Sequence, residues 1–356
     1  MEAKTLITGG LGFIGSNYID YIIEAKPLEN LLVLDKKTYA ADANALKRWE
    51  GNARLSFVEG DICDAQLLSQ LFQENNIQGV VHFAAESHVD NSISGPQAFV
   101  ESNIMGTFQL LEAARKAWLK PNQSKKATYE KARFHQISTD EVYGALGSTG
   151  AFTEETAYAP NSPYSASKAA SDHLVRSHFH TYGLPVVTTN CSNNFGPYQH
   201  QEKLIPTIIR KAIQEEPIPI YGAGKNIRDW LFVLDHCIAI QTVFEKGTLG
   251  EVYCVGGDSE KTNLDLCAAV IQILDTIQPR SNGKSYATLI THVTDRLGHD
   301  FRYAIDAGKI RNDLGWSPNE SFETGIRKTI HWYLDNQNWW KAIQDNNYRQ
   351  ERLGVI

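Results

Sequence analysis

Two short stretches carry side chains whose types and spacing could do acid–base chemistry. Thr139, Asp140 and Glu141 directly follow an apolar run, which predicts a buried strand that ends at a hydroxyl and two carboxylates. Tyr164 and Lys168 lie four residues apart in a helical pattern, so they share one helix face. An ammonium beside a phenol favours the phenolate. We therefore expect Lys168 to lower the pKa of Tyr164 and make it a general base.

Each stretch also has a plainer interpretation. A Tyr-x-x-x-Lys pattern occurs by chance in many helices, where a surface lysine stands above a half-buried tyrosine. A polar cluster after a strand is often only the start of a helix, where carboxylates suit the helix dipole. The elements that position the two stretches decide between these interpretations.

The N-terminus supplies that context. A β-rich run at 5–8 leads into Gly9, Gly12 and Gly15, and helical spacing follows. Strand, glycine turn and helix form a dinucleotide fingerprint: the first glycine allows a tight turn, the second lets the backbone approach a pyrophosphate, and the third lets the helix lie close to the strand. A second predicted strand ends at Asp35, 20 residues after Gly15, where an acid can bind ribose hydroxyls and repel a 2′-phosphate. The sequence therefore favours NAD over NADP.

The order of predicted elements indicates the fold. Strands alternate with helices through the first half, which is typical of a right-handed, doubly wound parallel sheet of the Rossmann type. We predict an NAD-binding domain over 1–190 together with about 231–256, where one more strand returns to the sheet. Residues 191–230 and 257–356 are predicted to form a smaller, loop-rich α/β domain that binds the substrate.

Composition excludes several function classes. The 356 residues are 42% hydrophobic, enough for a sizeable core, and the net charge of −7 argues against nucleic acid as a partner. No apolar run approaches the length of a membrane span. The five cysteines lack metal-ligand spacing and are odd in number, which suits reduced thiols in the cytoplasm. We expect Cys191, beside the candidate site, to be a small apolar wall residue, and we expect no metal site.

The glycine trio, the acid after the second strand, the hydroxyl after the fifth strand and Tyr-x-x-x-Lys together resemble the extended short-chain dehydrogenase/reductase family. Five longer stretches are similar to the 4,6-dehydratases of this family that act on dTDP-glucose: 84–90, 138–144, 162–172, 190–197 and 228–230. The resemblance covers essentially the whole chain. One departure is Leu297, where that branch usually has proline.

The resemblance implies a mechanism. Tyr164, with Lys168 and the hydroxyl of Thr139, would take the proton of the sugar 4-hydroxyl while hydride passes from C4 to NAD. Glu141 would then remove the C5 proton. Asp140, which burial and the charge of Glu141 should keep protonated, would give a proton to the leaving 6-hydroxyl. Hydride returns to C6, so the product is a 4-keto-6-deoxy sugar.

The resemblance also implies binding residues and partners. NAD would be contacted by Gly9, Gly12, Phe13, Ile14, Gly15, Asp35, Lys36, Thr38, Asp61, Ile62, Ala84, Ala85, Ser102, Tyr164, Lys168 and Asn194. The nucleotide sugar dTDP-glucose would be bound by Ser87, Thr139, Asn193, Lys203, Leu204, Pro219, Ile220, Tyr221, Arg228, Asn263, Asp295, Arg296 and His299. Arginines suit a diphosphate, although a surface ion pair is the alternative for both of them. A homodimer formed through the helices near 98–118 and 163–181 is implied, as is a deoxysugar product such as a rhamnose precursor.

Three other functions stay open at this point. A nucleotide-sugar 4-epimerase or a dehydratase of GDP- or UDP-sugars would use the same fold. An epimerase needs no acid and base for elimination, so the adjacent pair Asp140 and Glu141 argues against it. A non-catalytic NAD-sensing regulator would have no need of Tyr164 and Lys168.

Overall fold

A computed structural model describes residues 2–42, 44–295 and 298–345. In these residues the strands are β1 (Ala3–Thr8), β2 (Leu31–Asp35), β3 (Leu55–Glu59), β4 (Asn76–His82), β5 (Arg133–Thr139), β6 (Val186–Cys191), β7 (Asn193–Phe195), β8 (Ile218–Tyr221), β9 (Ile227–Phe232), β10 (Val252–Val255), β11 (Glu260–Thr262) and β12 (Ile290–Val293). The α-helices are α1 (Phe13–Ala25), α2 (Ala45–Arg48), α3 (Ala65–Glu74), α4 (Val89–Ser94), α5 (Pro96–Phe99), α6 (Thr107–Trp118), α7 (Pro163–Tyr182), α8 (Leu204–Ile213), α9 (Val233–Lys246), α10 (Asn263–Ile277), α11 (Gly308–Leu314), α12 (Phe322–Asp335) and α13 (Gln337–Asp345).

The described part of the chain contains a central sheet of seven strands in the order β10-β6-β5-β4-β1-β2-β3. Its neighbouring strands all pair in parallel, and β10 returns to pair with β6 as the sequence predicted. The prediction of a doubly wound, Rossmann-type α/β fold is confirmed. The chain order reverses between β1 and β4. In such sheets ligands bind at this reversal, outside the carboxyl ends of the strands.

Helices cover both faces of this sheet. Along β2, Leu32 and Leu34 pack into a core shared with α3, α6 and α7. Leu31 and Val33 point the other way, into a core shared with α1 and α9. Because both faces are buried, the strand is a continuous apolar run without polar alternation.

The remaining strands form two small sheets beside the central one. Strands β11, β9 and β7 form one sheet, and β12 pairs in parallel with β8 in the other. Helices α8, α10 and α12 enclose an apolar core with these strands. Tyr333 and Trp340 are fully buried in that core, so the C-terminal aromatic cluster packs as the sequence predicted. Among the helices that the structure describes, none has the length and apolar character that a bilayer crossing requires.

Helix α7 has clear local start and stop signals. Ser162 caps its N-terminus in a reciprocal capping box with Ser165, and Pro163 occupies the first turn. Gly183 ends the helix in the left-handed conformation, with φ of 69°. Between these ends α7 packs against β5 and β6, and Tyr164 and Lys168 are buried on this helix.

Candidate functional site

A cleft lies at the carboxyl ends of β1, β4 and β5. Its lining contains every residue predicted to contact NAD: Gly9, Gly12, Phe13, Ile14, Gly15, Asp35, Lys36, Thr38, Asp61, Ile62, Ala84, Ala85, Ser102, Tyr164, Lys168 and Asn194. These residues come from the ends of β1 to β4 and the segments after them, from a π-helical segment that contains Ser102, from β7 and from α7. The parallel sheet brings them together because its carboxyl ends share one edge.

The glycine turn between β1 and α1 lets a ligand approach the protein backbone closely. Gly9 has φ of +69°, and a Cβ atom there would lie 2.6 Å from the backbone nitrogen of Ala84. A Cβ atom on Gly15 would lie 2.4 Å from the carbonyl oxygen of Gly9. The helix therefore begins close to the strand, and its N-cap, Gly12, has no side chain to occupy the first N–H groups. These donors at a helix N-terminus fit a dinucleotide pyrophosphate.

Charges around Asp35 bear on the choice between NAD and NADP. Its two carboxylate oxygens accept hydrogen bonds from the backbone N–H of Leu11 at 2.9 Å and of Lys37 at 2.8 Å. Lys36 Nζ lies 3.7 Å from Asp61 and 3.6 Å from Glu86. Both carboxylates offset the lysine charge that a 2′-phosphate would otherwise find in the cleft, which supports NAD.

The neighbouring Lys37 also has an acidic partner, since its Nζ lies 2.6 Å from Glu59. The Lys37 ammonium lies over the ring of Phe57, 5.1 Å from its centroid. The two lysines that follow Asp35 therefore have carboxylate neighbours in the folded chain.

The turn after β5 places the two carboxylates differently. Asp140–Tyr143 forms a 3₁₀ turn, in which the N–H of Glu141 donates to the hydroxyl of Thr139 at 3.3 Å. Asp140 is only 1% exposed, whereas Glu141 is half-buried. Burial, followed by the charge of Glu141, raises the pKa of Asp140 well above its usual range. The expected direction of this pKa is confirmed.

The expectation that the pKa of Tyr164 is lowered is wrong. Burial raises it well above the usual range, the charge of Glu141 adds to this effect, and the hydroxyl of Thr139 acts in the opposite direction. Lys168 does not reverse the shift, because its Nζ is turned toward the backbone and donates to the carbonyl of Ile137 at 2.8 Å. Lys168 is also buried, and burial lowers its own pKa.

Nine of the thirteen residues predicted to bind the substrate fall into three groups. Ser87, Thr139, Asn193 and Lys203 line the same cleft as the NAD residues. Lys203 is the N-cap of α8, and its Nζ donates to the carbonyl of Ser87 at 3.1 Å. This contact joins the loop after β4 to the start of α8.

Arg228, on β9, belongs to the second group. Its guanidinium donates to the carbonyls of Ile227 at 2.7 Å and Asp300 at 3.0 Å, and its central carbon lies 4.1 Å from the ring centroid of Tyr303. The charge of Arg228 opposes the rise in the pKa of Asp140. Arg228 is therefore a buried residue whose charge acts on the turn after β5, and it does not lie at the surface.

The third group lies around β8. The Tyr221 hydroxyl is 3.5 Å from Asp90, and the rings of Tyr221 and His299 are 6.3 Å apart. His299 Nδ1 lies 2.6 Å from Asp295. The side chain of Ile220, in contrast, is buried in the core, so that residue can offer a ligand only its backbone.

The other four residues predicted to bind the substrate lie outside these groups. Leu204 packs against the same core, Asn263 begins α10 and donates its backbone N–H to Asn226, and Pro219 pairs with Thr291 in the small sheet. Arg296 and the departure at Leu297 lie outside the described residues.

Sequence reasoning missed residues that line or support the cleft. Glu202 lines it, with His200 Nδ1 at 3.5 Å and His88 Nε2 at 3.8 Å. Burial acts to raise the pKa of Glu202, but the hydrogen bond with His200 and neighbouring positive charges lower it to about 2. Asn103 lies in a π-helical segment, Val100–Gly106, and no short motif predicted its role.

The amide of Asn103 connects two sides of the cleft. Its Oδ1 accepts from the N–H of Glu86 at 2.8 Å, and its Nδ2 donates to the hydroxyl of Ser167 at 2.8 Å. The loop after β4 is thereby fixed to α7. Widened helical turns of this kind often lie at functional sites.

Cys191 lines the cleft and is buried, and burial raises the pKa of its thiol. A thiol with a raised pKa is a poor nucleophile at neutral pH. The position agrees with the wall residue that we expected.

Comparisons with known proteins agree with this geometry. The family model described as GDP-mannose 4,6 dehydratase matches residues 6–329. A dTDP-glucose 4,6-dehydratase of Xanthomonas campestris pv. campestris (strain B100) is 55% identical over 354 residues, with 99% of each chain covered. One from Escherichia coli is 50% identical over 364 residues, again with 99% of each chain covered.

Among solved structures, a dTDP-glucose 4,6-dehydratase from Bacillus anthracis str. Ames in complex with NAD superimposes with a TM-score of 0.84. It is 42% identical, and the alignment covers 96% of this chain and 100% of that one.

Proposed function

We infer the function from the family of this chain, which belongs to the GDP-mannose 4,6 dehydratase family and, within it, to the dTDP-glucose 4,6-dehydratases. The protein is an NAD-dependent hydro-lyase that converts dTDP-glucose into dTDP-4-keto-6-deoxyglucose and water. One observation carries this reaction more than any other. Asp140, a buried carboxyl with a raised pKa, stands next to the more exposed Glu141 at the end of β5.

Bound NAD would supply a hydride acceptor for C4 of the sugar and the hydride donor for C6, so the reaction would leave no net redox change. The glycine turn would hold the pyrophosphate, and Asp35 would bind the adenosine ribose. Asp61 and Ile62 would contact the adenine, with Tyr164 and Lys168 at the nicotinamide end. This set fits the group because the close approaches at Gly9 and Gly15 leave no room for side chains.

Three residues serve the first proton transfer. Tyr164 takes the proton of the sugar 4-hydroxyl, and the hydroxyl of Thr139 orients that oxygen. Lys168, held by the carbonyl of Ile137, supplies a positive charge under the phenol. Because burial raises the pKa of Tyr164, the charge of Lys168 matters most when the phenolate forms.

The two carboxyl groups serve the elimination. The 4-ketone makes the C5 proton acidic, so Glu141 can remove it and can return a proton to C5 when hydride adds to C6. Asp140 gives its proton to the leaving 6-hydroxyl, which departs as water. Adjacent residues of the turn point in different directions, so an acid and a base can reach neighbouring carbons.

We place the nucleotide on the side of the cleft next to Arg228 and Lys203. Arg228 binds the diphosphate, as does Arg296 by the family resemblance, and Lys203 adds a third positive charge. Tyr221, Asp295 and His299 lie toward the nucleoside. We assign these elements to a substrate domain, 191–230 and 257–356, that closes on the NAD domain, 1–190 with about 231–256.

A homodimer is part of this proposal. Val100 and Met105 are 49% and 47% exposed on the π-helical segment, next to the helices that the family resemblance places in the dimer. Large apolar side chains that face water on one stretch favour contact with a second copy. Changing both residues to glutamate should give monomers by analytical ultracentrifugation, and a monomeric wild type would contradict the dimer. The five unpaired thiols fit the cytoplasm.

The decisive experiment incubates the purified protein with dTDP-glucose and no added coenzyme. We expect the alkaline chromophore of a 4-keto sugar and a 6-deoxy product without accumulation of reduced nicotinamide. UDP-glucose and GDP-glucose are run beside it to settle the base. Stoichiometric reduced nicotinamide, or a C4 epimer as product, would overturn the proposal.

A further inference from the structure

Asp172 is a buried carboxylate that the mechanism above does not use. It lies on α7, four residues after Lys168 and eight after Tyr164, so the three residues follow one another along one helix face. Its side chain is only 5% exposed. Carboxylates are almost never buried to this extent unless they are paired, so a partner is expected.

The partners of Asp172 come mostly from β5, the strand that carries the catalytic turn. The hydroxyl of Ser138 donates to its Oδ2 at 2.6 Å, and the amide of Gln136 donates to Oδ1 at 3.3 Å. The phenol of Tyr158 also donates to Oδ2, at 3.2 Å. Three donors of this kind stabilise the ionised form of a carboxylate. Ser138 directly precedes Thr139, so the contact bears on the position of the catalytic hydroxyl.

Lys168 and Asp172 hold consecutive residues of the same strand. Lys168 donates to the carbonyl of Ile137, and Asp172 accepts from the side chain of Ser138. Burial lowers the pKa of Lys168, and the charge of Asp172 is the largest effect that opposes it.

Other titratable groups face this pair from the neighbouring elements. They are His82 on β4, Cys191 on β6, Tyr164 on α7, and Tyr143 and Tyr158 from the loop between β5 and α7. Burial lowers the pKa of His82 to about 3 and raises that of the Cys191 thiol, so both are neutral at the working pH. Burial also raises the pKa of both tyrosines. Burial raises the pKa of Asp172 as well, and the charge of Lys168 and the hydrogen bonds that Asp172 accepts oppose that rise.

We propose that Asp172 is a positioning residue of the dehydratase, which keeps the Lys168 ammonium charged and fixes the end of β5 under Tyr164. This role rests on the proposed function. Asp172 touches neither the sugar nor the coenzyme; it acts through Lys168 and Ser138. The same helix face thus presents the phenol of Tyr164, the ammonium of Lys168 and the carboxylate of Asp172, whose charge stabilises that ammonium.

The charge role has a measurable size. An opposite charge close to an ionisable group shifts the pKa of that group by roughly 1 to 3 units. Asp172→Asn removes the charge and keeps the shape. The alkaline limb of the kcat–pH profile, where Lys168 loses its proton, should therefore move down by about that amount. Ser138→Ala is the matched control, because it removes one hydrogen bond and leaves the carboxylate.

A second measurement needs no substrate. The folded-state pKa of Lys168 lies below its unfolded value, so the folded protein gains stability as pH rises between the two. In Asp172→Asn this gain begins at a lower pH. Burial also raises the pKa of Asp172, so Asp172→Asn removes a carboxylate whose ionised form burial disfavours, and the two effects oppose each other near neutral pH. From neutral pH toward pH ~10, where Lys168 is neutral in both folded proteins, the unfolding temperature of the variant should rise relative to that of the wild type. The difference for Ser138→Ala should stay constant with pH.

The outcomes separate this proposal from the proposed function. If the wild type does not dehydrate dTDP-glucose, the function fails, and the unfolding series still tests Asp172. If Asp172→Asn only lowers kcat, with an unmoved alkaline limb and a constant difference in unfolding temperature, the residue has no charge role and the proposal is overturned. Should the asparagine variant not fold, Asp172→Ser, which leaves room for a water on Ser138, gives the same comparison.

Discussion

Replacing Asp140 by asparagine removes the proton that we propose passes to the 6-hydroxyl and keeps the size and shape of the side chain. Asp140 is 1% exposed, and among the described residues its Oδ2 has no hydrogen-bond partner, so this oxygen is available to carry the acidic proton. A positioned general acid contributes about 10²- to 10⁴-fold, which corresponds to about 3 to 5 kcal/mol of transition-state stabilisation. We expect water loss to slow by that factor.

The steps that precede water loss should still occur in Asp140→Asn. Tyr164 and Glu141 are unaltered in Asp140→Asn, so oxidation at C4 and removal of the C5 proton continue. In deuterated water the substrate should exchange its C5 proton, seen by NMR, and retain its 6-hydroxyl. Glu141→Gln is the matched control, since it should block the exchange itself. If Asp140→Asn formed the 6-deoxy product within about 10-fold of the wild-type rate, the assignment of the acid would be refuted.

The unfolding temperature of Asp140→Asn tests whether the variant folds correctly. The folded-state pKa of Asp140 is raised, so its contribution to stability is present at low pH and is lost as pH rises from about 4 through the folded value. Asparagine does not titrate. Asp140→Asn should therefore unfold at a higher temperature than the wild type at neutral pH, with a difference that grows with pH across that window. A variant that is slower and also more stable cannot owe its slowness to misfolding.

Three further changes test the frame around the site. Gly9→Ala should weaken NAD binding and lower stability by about 2 to 3 kcal/mol, measured by calorimetry and denaturant unfolding, because its Cβ would meet the backbone of Ala84. Gly51→Ala has a similar positive φ in open space, so it should show the strain alone. Arg228→Lys should raise the KM for dTDP-glucose about 10-fold or more through the loss of charge-assisted bonds, whereas Arg302→Lys, at a buried arginine that pairs with the exposed Glu260, should not. Ser162→Ala and Ser321→Ala each remove a helix N-cap worth about 1 kcal/mol, but only the first, at the start of α7, should also lower kcat.

The parts of the site that follow strands could be predicted from the sequence. Glycine spacing, an acid after β2 and small residues after β4 are local signals. A parallel sheet brings every carboxyl end to one edge, so local signals suffice to place Gly9, Asp35 and Ala84 in one cleft. The direction of the pKa of Asp140 was also predictable, because burial and an adjacent carboxylate act on it whatever the rest of the fold does.

What the sequence could not predict depends on where side chains turn. The four-residue spacing of Tyr164 and Lys168 was read correctly, but the ammonium donates to Ile137 and does not lower the pKa of the phenol. Asn103 bonds to Ser167 and Glu202 lies near His88, partners that are distant in the chain, so no short motif marks either residue. Ile220 matched a binding pattern, yet its side chain fills the core, because alternate residues of β8 point to opposite sides.

The adjacent carboxyl groups show how one turn supplies two opposite chemistries. A strand that ran on past Thr139 would also send consecutive side chains to opposite faces, but the 3₁₀ turn directs Asp140 into the protein and leaves Glu141 half-buried. Burial keeps the proton on the first group, and the charge of the second strengthens that effect. An acid and a base therefore coexist at one pH because their environments differ, as paired carboxylates in other enzymes require. An interchange of the two residues should therefore leave the proton on whichever carboxyl group occupies position 140, since the fold, and not the residue type, decides which group keeps its proton.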